Sequence, residues 1–64
     1  MPLSSREVLK ALRSAGFVVV DQKGSHVQLK HPEHPGRVTV PHPKRDLRIK
    51  TVKSIESQSG LKLL

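Results

Sequence analysis

Four histidines, twelve lysines and arginines and no cysteine set the chemistry open to this 64-residue chain. Without thiols there is no disulfide, no thiolate zinc site and no cysteine nucleophile, which fits a reducing cytoplasm, the expected location. His31-x-x-His34 invites a metal reading, with His26 and His42 able to complete a set of ligands. Against it, His31 and His34 straddle a proline in a turn instead of sharing a helix face, and the surrounding positive charge disfavours a divalent cation. No metal and no cofactor are therefore expected. Paired carboxylates, a Ser/His/Asp order and a glycine-rich phosphate loop are all missing. What is left is imidazole among lysines and arginines. Such a set suffices for metal-free RNA cleavage, in which a base takes the 2′-hydroxyl proton and cations stabilise the charge on the phosphorane.

Among the histidines, His26 has the most informative surroundings. Gly24-Ser25-His26 ends a tight turn and hands the imidazole to the first residues of a strand. His26, Gln28 and Lys30 alternate with Val27 and Leu29, so a period of two places the polar set on one sheet face and the apolar set on the other. Imidazole is the side chain whose ordinary titration range spans neutrality, so it suits proton acceptance or donation. A plain surface histidine on a strand satisfies the same pattern.

The formal charge of +7 and pI near 10.7 favour a polyanionic partner, nucleic acid first, over a merely basic soluble protein. A membrane surface fits less well, because Phe17 is the only aromatic anchor and no helix offers a strong apolar face with aromatics. The same shortage argues against readers that stack bases on rings, so backbone phosphate contacts should dominate. The longest apolar run, Phe17 to Val20, is far too short for a signal-peptide core or a membrane span. The chain is expected to be soluble, unprocessed and complete from Met1, and to form a single domain over residues 1–64.

The elements that would position these groups follow in order. Ser4-Ser5-Arg6-Glu7 is a capping box that starts a helix. Val8, Leu12 and Ala15, with Leu9 beside them, make its core stripe, and Gly16 supplies the left-handed residue that closes it. Arg6, Lys10 and Arg13 share that spacing on the opposite side, as a phosphate-tracking stripe or simply a solvated face. Phe17 to Asp21 reads as a strand apolar on both faces, so Val18 and Val20 should meet something other than the helices. Gln22-Lys23-Gly24 turns the chain into a second strand from Ser25 to Lys30 or His31. Pro32 to Gly36 is a second turn, and Arg37 to Val40 is a third strand ended by Pro41. Arg37 and Thr39 should share the face of His26. From Pro41 to Lys50 the chain reads as a mobile basic loop carrying His42, Lys44, Arg45 and Arg48. Thr51 is the expected cap of a last helix with Val52 and Ile55 inward, Gly60 at its end and Leu61 packing beneath. The result is an α+β fold in α-β-β-β-α order, a three-stranded antiparallel meander with two helices on one face and the face bearing His26 left open.

Several blocks in fixed order strengthen this reading: Ser5-Arg6-Glu7-Val8-Leu9-Lys10-Ala11-Leu12, Ala15-Gly16-Phe17, Lys23-Gly24-Ser25-His26, Val38-Thr39-Val40-Pro41-His42, and Thr51-Val52-Lys53-Ser54-Ile55 leading to Ser59-Gly60-Leu61. Over nearly its whole length the chain resembles the HicA-type toxins of toxin–antitoxin systems, small ribonucleases with a double-stranded-RNA-binding-domain-like fold. It departs from that pattern at Lys50, where glycine usually precedes the capping residue, and at Ser59, where a small apolar residue is commoner. The resemblance implies an mRNA-cleaving endoribonuclease with His26 catalytic, and a HicB-type antitoxin that covers the active site and is the route to any oligomer. Arg6, Lys10, Arg13, Lys23, Ser25, Gln28, Lys30, Arg37, Lys44, Arg45 and Arg48 are the expected RNA contacts. The second proton-transfer group stays open between His42 and a lysine. The alternative is a double-stranded-RNA-binding module that does not cut, for which Lys50-Thr51-Val52-Lys53 is a thin version of the lysine-rich signature at the last helix.

Overall fold

Ser4 caps the first helix, α1 (Ser5–Ser14), with its hydroxyl accepting from the Glu7 amide while the Glu7 carboxylate accepts from the Ser4 amide, both at 3.2 Å. The computed structural model describes residues 3–64. Val8 and Leu12 are fully buried, and Leu9 and Ala15 pack at the margin of the same core. The helix closes where Gly16 takes φ 100°. There the Gly16 amide donates to the Arg13 carbonyl and the Phe17 amide to the Leu12 carbonyl, both at 3.0 Å, the Schellman pattern that satisfies the last free carbonyls. This closure swings Phe17 back over Leu12, so Phe17 is a core residue that precedes the first strand and does not begin it.

The sheet is the expected antiparallel meander, ordered β1 (Val18–Lys23), β2 (His26–His31), β3 (His34–Pro41). Its turns are tighter than the sequence suggested. Lys23 pairs with His26, so the first hairpin loop is Gly24-Ser25 alone, with positive φ (55°) only at Gly24, as a type II′ connection requires. His31 pairs with His34, which shrinks the second turn to Pro32-Glu33 and starts β3 three residues earlier than Arg37. Pro35 and Gly36 are tolerated there because β3 is an edge strand and the register slips between Leu29 and His31, where a missing ladder donor does no harm.

Val27, Leu29, Val38 and Val40 face the helices and form one core with Val8, Leu12, Phe17, Leu47, Val52 and Ile55. Directly paired residues share a face. The pairs Lys23–His26, Asp21–Gln28, Val18–Lys30, Gln28–Thr39 and His26–Pro41 therefore define the other, helix-free face. Val20 is an extra residue between Val19 and Asp21 with no partner on β2. That bulge breaks the alternation, so Val18 shares the open face with Asp21, three residues on, which the simple period would place on the other face.

Two expectations for the second half need correction. The Pro41–Lys50 stretch is not a mobile loop: the Ser5 amide donates to the Lys44 carbonyl and the Leu47 amide to the Leu3 carbonyl, each at 2.8 Å, and Leu47 is only 5% exposed. The last helix, α2 (Ile49–Ser59), has Arg48 and not Thr51 at its N-cap, with no side-chain cap bond. Anchoring of Leu47 brings the chain into helical geometry early, and the Val52 amide already donates to the Arg48 carbonyl at 2.9 Å. Lys50 sits inside the first turn, and Ser59 is buried with its hydroxyl donating to the Ile55 carbonyl at 2.7 Å. Gly60 closes α2 in the left-handed region, as expected.

Candidate functional site

The two-residue hairpin places His26 at the first position of β2, across from Lys23 on one side and Pro41 on the other. It is exposed, and the ring hydrogen bonds among the described residues are those of His31 and His42, not of His26. The other histidines are engaged. His31 Nε2 lies 3.1 Å from the Ala15 carbonyl and its Nδ1 accepts from the Glu33 amide at 2.9 Å. His34 stacks on Phe17 with ring centres 5.9 Å apart and planes 1° from parallel. His42 Nδ1 lies 2.7 Å from the Ser5 hydroxyl. Only His26 presents a ring that packing and hydrogen bonding leave free.

Around it, the open face carries Lys23, Gln28, Lys30, Arg37 and Thr39, with Ser25 in the adjoining turn. Arg37 donates to the Gln28 side-chain oxygen Oε1 at 2.6 Å, which ties β3 to β2 across this face and steadies the guanidinium. The remaining expected RNA contacts lie elsewhere. Arg6, Lys10 and Arg13 project from α1, and with His42, Lys44 and Arg45 they border two adjoining clefts on the helix side. Arg48 is exposed at the N-cap of α2. The two basic surfaces meet at the end of the sheet, where the His42 amide donates to the Ser25 carbonyl at 2.7 Å, next to the His26–Pro41 pair.

No group of three His, Cys, Asp or Glu residues comes together as a metal site among the described residues. His31 and His34 instead flank Phe17, with ring centres 4.6 Å apart in an edge-on contact. No helix among the described residues is long and apolar enough to cross a membrane.

The sequence profile of the HicA toxin of bacterial toxin–antitoxin systems matches residues 5–61. The chain belongs to the HicA toxin family. It is similar to a solved toxin–antitoxin complex from Streptococcus pneumoniae, with 26% identity and a TM-score of 0.76 over 94% of this chain and all of the other. It is also similar to a HicA3 and HicB3 toxin–antitoxin complex, with 29% identity and a TM-score of 0.76 over 97% of this chain and all of the other. Comparison with curated proteins gave no sequence match. The α-β-β-β-α order and double-stranded-RNA-binding-domain-like architecture of this HicA toxin are those of both solved relatives.

Two residues build the site without a role assigned from the sequence. Ser5 is 1% exposed and holds both His42 and the Lys44 amide. Leu47 pins the basic stretch to the core. A lone leucine among charges is the sequence signal for Leu47. Ser5 gave none, because its partners lie 37 and 39 residues away.

Proposed function

We propose that this HicA toxin is a metal-independent endoribonuclease that cleaves mRNA in the cytoplasm, and that a HicB-type antitoxin inhibits it by covering the open sheet face. The observation that carries the reading is the position of His26: alone among the histidines its imidazole is unengaged, at the head of β2, where the open face and the helix-side clefts meet. Family membership supports the same choice, since His26 stands in the Gly-Ser-His block.

The imidazole takes the 2′-hydroxyl proton of the RNA, and the freed oxygen attacks the adjacent phosphorus. The 5′-oxygen of the next nucleotide leaves with a proton from a second group, giving a cyclic phosphate and a 5′-hydroxyl end. Lys23, Lys30 and Arg37 stand on the face where negative charge builds on the phosphorane. Ser25, Gln28, Arg6, Lys10, Arg13, Lys44, Arg45 and Arg48 would hold the strand on either side. DNA has no such internal nucleophile and should not be cut.

Purified toxin should fragment single-stranded RNA in the presence of EDTA. A single positioned acid–base group is worth ~10² to 10⁴ in rate. His26→Ala should therefore lose that much cleavage while keeping its fold, because the side chain is exposed. Undiminished cleavage by this variant would remove His26 from the mechanism. Intact RNA alongside tight duplex binding by the wild type would instead show a binding module that does not cut.

A further inference from the structure

We propose that His42 forms a second RNA contact, a phosphate subsite in which Ser5 orients the imidazole so that its Nε2–H donates into the basic groove beside α1. The proposal rests on the reading of this toxin as an RNA-acting protein. It adds a site on the opposite side of the sheet end from His26.

The buried Ser5 hydroxyl has two polar neighbours. One is the Lys44 amide at 2.9 Å, which can only donate. The other is His42 Nδ1 at 2.7 Å. Ser5 is 1% exposed and no buried polar side-chain atom among the described residues is left without a partner. The hydroxyl accepts from Lys44; accepting from the ring as well would leave its own buried proton without an acceptor among the described residues, whereas giving that proton to Nδ1 satisfies every group. This puts the lone pair of the neutral ring on Nδ1 and its N–H on Nε2, the nitrogen that faces away from Ser5. The His42 backbone is fixed as well, by its amide bond to the Ser25 carbonyl at 2.7 Å. A donor held at both backbone and ring loses little freedom when it binds a ligand.

What it would bind follows from the lining. His42 and Arg6 border both helix-side clefts, so the two form one groove that passes the imidazole. Lys10 and Arg13 flank one arm and Lys44 and Arg45 the other, and no carboxylate lines either. Arg6 and Arg13 lie seven residues apart, about 10 Å along the helix axis at 1.5 Å per residue. That spread suits a run of phosphates better than a single anion, and places His42 against one phosphate of the strand whose cleavable bond lies at His26.

The test reads binding and not cleavage, so it can fail separately from the ribonuclease reading. A 2′-O-methyl RNA oligonucleotide, which has no free 2′-hydroxyl, is titrated into wild-type toxin carrying ¹⁵N-labelled histidine. The His42 Nε2 resonance should shift with saturation, while that of His31, held by its bonds to the Ala15 carbonyl and the Glu33 amide, stays in place. His42→Ala should weaken binding of this oligonucleotide about tenfold or more, in line with loss of a hydrogen bond to a charged group. Ser5→Ala should weaken it in part and Ser5→Thr restore it, since threonine keeps the orienting hydroxyl. An unmoved His42 resonance at saturation, or a folded His42→Ala that binds as tightly as wild type, would overturn the proposal. The wild-type titration decides the matter even where a variant does not fold.

Discussion

His31 shows how a histidine can be committed to structure instead of chemistry. The Glu33 amide can only donate, so Nδ1 accepts from it and the ring proton sits on Nε2, pointing at the Ala15 carbonyl. The ring also meets Phe17 edge-on, with centres 5.0 Å apart. Gly16 lies against this ring: a Cβ there would stand 2.8 Å from His31 Nε2, at a φ of 100° that side chains rarely adopt. Gly24 also has positive φ, 55°, but a Cβ there meets nothing within 4 Å. The left-handed conformation alone costs an L-residue about 1–2 kcal/mol. Gly24→Ala should lose about that much stability. Gly16→Ala should lose more, because the ring must also move and give up its bond to Ala15, worth about 1 kcal/mol. Urea unfolding of the two variants checks this, and equal losses would mean that the Gly16–His31 contact does not matter. The Gly16 turn was legible in the sequence, because helix closure is a local event. The use of His31 was not, because its carbonyl partner lies 16 residues away.

At the scale of elements, α2 is fastened to the chain end by one carboxylate. Glu56 accepts from the amides of Leu63 and Leu64, and Leu63 packs against the core. The Leu64 amide first, and then that of Leu63, hold the Glu56 carboxyl below its ordinary 4.5, with help from Lys53 and Lys62. A depressed carboxylate contributes stability that is fully present above the unfolded value and is lost as pH falls through the folded one. The latch should thus hold at neutral pH and release in acid below about pH 4.5. The amide proton shifts of Leu63 and Leu64 should titrate together in that range, and Glu56→Gln should abolish the response. Independent titration of the two amides, or a response that survives in Glu56→Gln, would refute the latch. Gly60 and the apolar Val52 and Ile55 announced α2 in the sequence, since periodicity and a left-handed stop are short-range signals. Its N-cap lies at Arg48 and not at Thr51, because a pairing between Leu47 and Leu3, far apart in the chain, decides where the helix begins.

Taken whole, the molecule distributes its surface unevenly. The helices gather over β2 and β3, and β1 overhangs them: Val18, Val19 and Val20 are 56%, 43% and 47% exposed. Val18 lies on the same open face as His26, beside Lys30. An antitoxin that closes this face therefore meets two chemistries, a cationic field and an apolar edge strand. The net charge of +7 calls for acidic groups that take the place of phosphate, and these should speed association in a salt-dependent way. The valines call for an apolar surface whose desolvation sets how long the complex lasts. Salt acts on only one of these. At about 1 M the Debye length is ~3 Å, so charge steering is screened while apolar burial is not. The toxin–antitoxin complex should then form more slowly at high salt yet stay assembled, as gel filtration at both ionic strengths would show. Val18→Ser removes apolar area from the open face of β1 without touching the residues assigned to RNA. It should shorten the lifetime of the complex at high salt and leave RNA cleavage by the free toxin unchanged. Complete stripping of the antitoxin from the wild-type toxin at 1 M salt would mean that charge alone holds the partner, and that the exposed valines of β1 have another use.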